Sequence, residues 1–239
     1  MRRISNLCVL SGIVIALLSG CAGIGGETIR LSHDDLGTPK RQFSETLQMK
    51  SPAADLRTER DRIGRATITV FAITSGSIRT EGRVEEEVAN EVKLALEAGG
   101  YRVELIREGT TAQGSSPVVK VAIKELWFKN YNWLWPIVPT WGDVEIAITV
   151  ENASGQQLFE RSFKGSGNSL CLTGHCAFET ATKKAMTAIC QQIRDVVMSE
   201  EFRSSIESIG SKPRAEAWPD RSGPAGKQQR TLTMAFSIE

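Results

Sequence analysis

Residues 143–150 alternate between apolar and polar side chains, and this pattern limits the possible folds more than any other. The apolar members are Val144, Ile146, Ile148 and Val150. A period of two is that of a β-strand with one face buried and one face in water. The turn-forming residues Asn152–Gly155 follow, and Leu158–Lys164 returns as a second strand. The segment therefore predicts a hairpin in a sheet that is covered on one side only.

Two segments have the apolar spacing of helices that cover such a sheet. The first runs from about Gly82 to Ala98, with Thr80 as a candidate cap and Gly99-Gly100 as the stop. The second runs from Phe178 to about Met198. Further strands are predicted at Ala66–Ile73, Tyr101–Ile106 and Val118–Phe128. This order predicts an α+β fold, a mixed or antiparallel sheet with two helices packed on one face.

The N-terminus has the pattern of a lipoprotein signal peptide. Arg2 and Arg3 precede an apolar run, Leu7–Leu18, which is too short to span a bilayer. The run ends in Leu18-Ser19-Gly20-Cys21, which resembles the bacterial lipobox. That resemblance implies cleavage before Cys21 and lipid attachment to its thiol. More than one acyl chain would then give stable anchoring. An ordinary secretory signal with a chance cysteine is the alternative.

The residue after the lipidated cysteine and the charge balance indicate where the mature chain resides. By resemblance to Gram-negative lipoproteins, Ala22 in place of Asp favours transfer to the outer membrane, facing the periplasm. Removing residues 1–20 takes away Arg2 and Arg3 and no acidic residue, which leaves 27 basic against 28 acidic residues. A nearly neutral chain lacks the basic footprint that nucleic-acid binding requires. We therefore expect a membrane partner and no nucleic acid.

The sequence predicts four segments: the signal peptide in residues 1–20, the lipidated cysteine and a flexible tether in 21–62, the α+β domain in 63–208, and a linker in 209–239. Docking of the second segment through Leu47 and Met49 is the alternative to a free tether. The last segment ends in an alternating run, Thr231–Ile238, that predicts a terminal strand. It would pair with the domain's own sheet or add to a partner's sheet, unless it is a disordered tip.

The segment Trp127–Trp141 is the strongest candidate for a binding site. It holds four of the five tryptophans, and Pro136 and Pro139 predict a surface loop. Tryptophan and tyrosine are typical of membrane interfaces and of interface hot spots. The candidate binding residues are Trp127, Tyr131, Trp133, Trp135 and Trp141. The alternative is that the loop folds back and completes the core.

The spacing of the remaining cysteines favours a disulfide over a metal-binding or catalytic site. Cys171 and Cys176 flank Gly174 and can meet in a small loop, while Cys190 falls on the apolar face of the second helix. With His175 the pair could begin a zinc site, but no fourth ligand is evident. No nucleophile elbow, Walker loop or dinucleotide motif is present. The sequence therefore predicts no catalytic residues, no metal and no cofactor.

The helix followed by Gly99-Gly100-Tyr101-Arg102-Val103, and the hairpin Val144–Val150 with Leu158–Phe163, resemble small lipoproteins of the YajG and LptE kind. The resemblance covers about residues 63–200. It implies an anticodon-binding-like α+β domain, also found in the N-terminal part of TolB, and it brings no catalytic residues. We expect a non-enzymatic accessory or assembly lipoprotein that binds an envelope protein or glycolipid. A structural or glycan-binding lipoprotein is the alternative, and an envelope hydrolase using His175 is a third.

Overall fold

The computed structural model describes residues 26–39, 41–68, 73–107, 109–110, 116–131 and 137–207. Cys21, Trp133, Trp135 and the alternating C-terminal run lie outside these residues, as do the predicted signal peptide and linker. Within them the chain forms nine strands and three helices. The strands are β1 Glu27–Ile29, β2 Thr46–Ser51, β3 Ala54–Asp55, β4 Gly64–Ile68, β5 Ile73–Thr80, β6 Arg102–Arg107, β7 Val118–Tyr131, β8 Val138–Glu151 and β9 Gln157–Cys171. The helices are α1 Val84–Ala98, α2 Gly174–Val197 and α3 Glu200–Glu207.

All nine strands belong to one mixed sheet organised around β7. One edge of β7 pairs antiparallel with β8, and β8 pairs antiparallel with β9. The other edge pairs in parallel with β2, β3 and β4, one after another along its length. Strand β6 extends the sheet beyond β2, while β5 and then β1 extend it beyond β4. The α+β class and the mixed sheet are therefore confirmed.

The core lies between one face of the sheet and helices α1 and α2. The alternating residues Val144, Ile146, Ile148 and Val150 are buried. The cross-strand ladder joins each of them to a buried apolar residue of β7, and it joins Ile146 and Val150 to Phe163 and Phe159 of β9. Both helices contact strands of the sheet and each other. The opposite face carries exposed polar residues, including an ion pair between Lys164 and Glu145 (2.8 Å). We call this second face the outer face.

Strands β8 and β9 are longer than the sequence predicted. Strand β8 begins at Val138, and β9 continues to Cys171 through Gly165–Ser169, which had the composition of a loop. The glycines of this stretch have a packing role, because α2 lies directly on them. A Cβ atom on Gly167 would come within 1.7 Å of the Ala181 carbonyl oxygen. Small residues here let the helix backbone approach the sheet, so the stretch is a strand.

The helices also differ from prediction at their starts. Thr80 does not cap α1, because its hydroxyl donates to the Gly82 carbonyl (2.6 Å) and the N-cap residue is Arg83. Helix α2 begins four residues early, at Gly174, where the Thr173 hydroxyl accepts from the Cys176 amide. The short helix α3 was not predicted as a separate element, and it buries Phe202 and Ile206.

Residues 26–62 are part of the folded domain, so the expected tether is wrong over this range. They supply β1, β2 and β3, and Leu47 and Met49 are fully buried, as the docking alternative proposed. Helix side chains bind the backbone of this segment. Glu87 accepts from the Leu31 amide and Arg194 donates to the Leu36 carbonyl, each at 2.8 Å. Polar composition therefore does not exclude a segment from the fold, although many polar side chains of this segment remain exposed.

Among the residues that the structure describes, no helix combines the length and the apolar character needed to cross a membrane.

Candidate functional site

The aromatic segment is divided between two strands and the connection that joins them. Trp127 and Tyr131 belong to β7 and Trp141 to β8, so the prediction of one loop from Trp127 to Trp141 is wrong at both ends. Cross-strand hydrogen bonding between β7 and β8 extends the hairpin into the segment despite Pro139. Only residues 132–136 join the described parts, and they carry Trp133 and Trp135.

Trp127 and Trp141 are diagonal neighbours on the outer face. Trp127 pairs with Asp143 across the hairpin, and Lys129 pairs with Trp141. The Arg65 guanidinium lies 5.5 Å from the Trp127 ring, and the Lys129 ammonium lies 5.9 Å from the Trp141 ring. Cation–π contacts of this length add about 0.5–1 kcal/mol at exposed sites. Trp127 is half-buried, whereas Trp141 remains 37% exposed.

Three further apolar side chains are exposed beside Trp141. Leu170 is 72% exposed, Leu172 is 73% exposed and Ile137 is 43% exposed. The register pairs Pro139 with Leu170 and Trp141 with Asn168, which places Leu170 and Trp141 on the same face at the end of the hairpin. We call the group Ile137, Trp141, Leu170 and Leu172 the apolar end. Clustering of large exposed apolar side chains indicates a contact surface, whereas single ones do not.

Two connections with apolar sequences join their strands at the apolar end. Residues 132–136, Asn-Trp-Leu-Trp-Pro, connect β7 to β8. Residues 69–72, Thr-Val-Phe-Ala, connect β4 to β5, and β4 approaches its end where Thr67 pairs with Tyr131. The tryptophans of the first segment mark it in the sequence, whereas the second has the composition of a strand and falls inside the one predicted at Ala66–Ile73. Leu170 gives no such signal, because the glycines before it hide its alternation with the buried Ser169.

A disulfide between Cys171 and Cys176 links the end of β9 to the first turn of α2. Leu172 lies inside the loop that it closes. The start of the described chain lies next to it, since a Cβ atom on Gly174 would be 2.9 Å from a Glu27 carboxylate oxygen. Burial raises the pKa of Glu27, and the opposing charge of His175 offsets part of that shift. The chain therefore enters the fold at the apolar end.

His175 does not have the surroundings of a catalytic or metal-binding residue. Its side chain is 58% exposed on the first turn of α2, 3.8 Å from Glu179. The neighbouring cysteines are joined to each other and offer no thiolate to a metal ion. Among the described residues, no group of three or more His, Cys, Asp or Glu side chains could hold a metal ion. Cys190 is a buried free thiol whose pKa is raised by burial.

A polar groove of about 610 Å³ lies on the helix side, between residues 30–39 and α1. Its lining includes Arg30, Asp35, Asn90 and Glu97. A hydrogen bond joins the His33 and Glu91 side chains at the groove, and each side chain is only 9% exposed. The groove thus combines polar and charged side chains with apolar ones such as Leu94.

No protein-family model and no curated protein matches this sequence. A DUF330-family protein from Xanthomonas campestris is 13% identical, covering 75% of this chain and 97% of its own, with a TM-score of 0.48. A minor lipoprotein from Acinetobacter baumannii is 9% identical, covering 64% and 92%, with a TM-score of 0.36. The PelC dodecamer protein from Paraburkholderia phytofirmans is 11% identical, covering 70% and 91%, with a TM-score of 0.34. Similarity at this level assigns no family and no function to the chain.

Proposed function

We propose that this protein is a lipid-anchored lipoprotein of the bacterial cell envelope with a non-enzymatic accessory or assembly role, and that the apolar end is its contact surface. The lipobox at Leu18–Cys21 supports the anchor. Ala22 favours the outer membrane, with the domain facing the periplasm. In this role the folded domain binds an envelope component, and no cofactor takes part.

One observation carries the proposal: the exposure of Trp141, Leu170 and Leu172 together at one end of the sheet. Leaving such side chains in water forgoes about 1.5–3 kcal/mol for each one that a contact could bury. A partner that covers the apolar end would recover part of that free energy. Trp133 and Trp135 follow β7 directly in the sequence, and we include them in the proposed contact.

The anchor is tested by metabolic labelling with palmitate. We expect the label on the wild-type chain and its loss in Cys21→Ser, because the thiol sulfur would carry the diacylglyceryl group whose acyl chains take up the label. Equal labelling of both chains would contradict the proposed anchor. An unlabelled wild-type chain would do so as well.

The contact surface is tested by affinity capture of the lipidated protein from envelope membranes. Wild type is compared with Leu170→Ala/Leu172→Ala and with Trp133→Ala/Trp135→Ala, after equal folding and equal palmitate labelling have been established. We expect the wild type to retain envelope components, lipids included, that both variants lose. Recovery of the wild-type set by the leucine variant would contradict the apolar end as the contact, and its recovery by the tryptophan variant would exclude these tryptophans. A matched control is Leu56→Ala, since Leu56 is a 60% exposed leucine outside the apolar end.

The polar groove favours a second candidate function, a glycan-binding envelope lipoprotein. Neutral and charged hydrogen-bonding groups such as Asn90 and Arg30 are suited to sugar hydroxyls and carboxylates. Soluble peptidoglycan fragments provide the probe, with binding measured by calorimetry. Asn90→Ala should weaken the binding if the groove is the site. Absence of heat with the wild-type chain would reject this candidate.

A further inference from the structure

The length of chain between Cys21 and the first strand limits how the domain can sit on a membrane. This step rests on the proposed lipid anchor. Five peptide units separate Cys21 from Gly26, and a fully extended chain covers at most about 3.6 Å per residue, or about 18 Å in all. Strand β7 has 14 residues and is roughly 45 Å long at about 3.3 Å per residue. The tether is much shorter than the sheet, so it determines which end faces the bilayer.

The register places Gly26 at the apolar end. Its neighbour Glu27 is level with Ile78, Ile78 with Gly64, and Gly64 with Phe128, three residues before the end of β7. Strand β1 runs opposite to β7, so the residues preceding it lead toward the end at Tyr131. The short distance that a Cβ atom on Gly174 would have to the Glu27 carboxylate agrees with this position. The first described residues and the apolar end are therefore on the same side of the molecule.

The chemistry of the apolar end matches the boundary between lipid headgroups and acyl chains. Leu170 and Leu172 would lose contact with water there, and Trp141 has the apolar body and polar tip that favour this depth. Lys129 is exposed beside Trp141 and can meet lipid phosphates.

We propose that the apolar end docks on the phospholipid bilayer that holds the lipid anchor, so that the long strands stand away from the membrane and the opposite end is presented to the periplasm. A bilayer is favoured over a protein occupant because the anchor alone brings this surface within about 18 Å of lipid. A protein partner would need to enter that gap. Docking also fixes the tilt of the domain on the membrane, which the short link to the acyl chains leaves open.

The test reconstitutes the full lipidated protein into vesicles of phosphatidylethanolamine and phosphatidylglycerol, with and without brominated acyl chains. Brominated chains quench only tryptophans that enter the bilayer. Trp218→Phe is used as the background, because Trp218 lies outside the proposed surface. Leu170→Glu/Leu172→Glu is compared with Leu56→Glu/Leu105→Glu, which places the same two charges at leucines that are 60% and 48% exposed elsewhere.

We expect quenching and a blue-shifted emission for the background protein and for Leu56→Glu/Leu105→Glu. Both signals should be lost in Leu170→Glu/Leu172→Glu, although its acyl chains still hold it on the vesicle. The vesicles contain no other protein and no glycolipid. Absence of quenching in the background protein would therefore overturn the proposal, and would indicate that a protein or a glycolipid covers the apolar end instead. Equal quenching of the two double variants would also overturn it.

A second measurement separates docking from anchoring. The mature chain with Cys21→Ser carries no lipid, and its flotation with the same vesicles reports the apolar end alone. Leu170→Glu/Leu172→Glu should lower its partitioning by about tenfold or more, since burial of one leucine is worth at least a factor of ten. Flotation without palmitate labelling of the wild type would refute the anchor and retain docking. Palmitate labelling of the wild type without tryptophan quenching would retain the anchor and refute docking.

Discussion

The two ends of the sheet differ in how far their large apolar side chains are exposed to solvent. At the end where β7 begins, Phe43, Tyr101, Phe159 and Phe202 form a continuous aromatic cluster. Phe159 pairs with Val150, which pairs with Val119 near the start of β7. We call this the closed end, because α3 covers it and leaves Phe202 1% exposed. At the apolar end, Trp141, Leu170 and Leu172 remain in contact with solvent.

The difference shows that exposure at the apolar end is not a general failure of the domain to close. Helix α3 buries Phe202 and Ile206 at the closed end, although Leu105, level with Val119 through Met49, remains 48% exposed. Burial raises the pKa of Tyr101 there to about 12, as expected for a phenol in apolar surroundings. No described element covers the apolar end in the same way, and the first described residues lie at that end. We therefore predict that substitutions at the closed end lower the free energy of unfolding, whereas substitutions at the apolar end weaken binding to the envelope component.

The largest expected effect is at the closed end. Phe202→Ala removes a fully buried ring that makes edge contacts with Tyr101 and Phe159, at centroid distances of 5.8 and 5.0 Å. The free energy of unfolding should fall by about 3–5 kcal/mol, the usual cost of a large cavity. Chemical denaturation monitored by circular dichroism measures it. Phe202→Leu is the conservative control and should lose less. A loss below about 1 kcal/mol for the alanine variant would mean that α3 does not close this end.

The disulfide ranks second, and it belongs to the apolar end. Joining Cys171 to Cys176 closes a loop of sequence separation 5. Chain-entropy arguments for so short a loop give about 2 kcal/mol. We expect Cys171→Ser/Cys176→Ser to lower the free energy of unfolding by that amount and to leave Cys190 as its only cysteine among the described residues. Reduction of the wild-type chain by dithiothreitol should reproduce the loss and should not change the double variant. An equal response of both chains would place the effect elsewhere.

Much of the closed core could be predicted from the sequence, because its signals are periodic. The alternation in β8 and the apolar stripes of α1 and α2 come from residues that must all face one layer. The segments whose structure was predicted wrongly depend on partners that are distant in the sequence. Residues 26–39 are polar, yet Glu87 and Arg194 bind their backbone from helices far along the chain. A period cannot reveal such partners.

The apolar end was only partly predictable for a similar reason. The tryptophan content of residues 127–141 identified the region, but the prolines suggested a longer loop than the strand pairing allows. Leu170 and Leu172 each look ordinary in the sequence. They form a surface only because β9 pairs with β8 in a register that places Leu170 opposite Pro139. Register is a property of the whole sheet, so exposure of these leucines required the structure.

The exposed leucines should be nearly neutral for stability. Leu170→Ala and Leu172→Ala remove side chains that are about three-quarters exposed, so little packing is lost. We expect each to change the free energy of unfolding by less than about 0.5 kcal/mol, the usual range for surface substitutions. Thermal denaturation of the wild type and both variants provides the measurement, with Phe202→Ala as the positive control. A loss of 2 kcal/mol or more would show that these leucines are part of the core and would remove the contrast between the ends.

The smallest expected effect concerns Glu27, the carboxylate next to Gly174 at the apolar end. Burial raises its pKa above the ordinary 4.5, and one of its oxygens has no hydrogen-bond partner among the described residues. The folded chain therefore holds this proton more tightly than the unfolded chain. Its contribution to stability is present below about pH 4.5 and is lost as the pH rises through the raised folded value. Glu27→Gln keeps the shape without the charge, so at pH 7 it should stabilise the protein by roughly a few tenths of a kcal/mol, given solvent screening of a half-buried group. The gain should vanish at pH 4 in denaturation curves of the two chains. A gain that is equal at both pH values would assign it to hydrogen bonding and not to the buried charge.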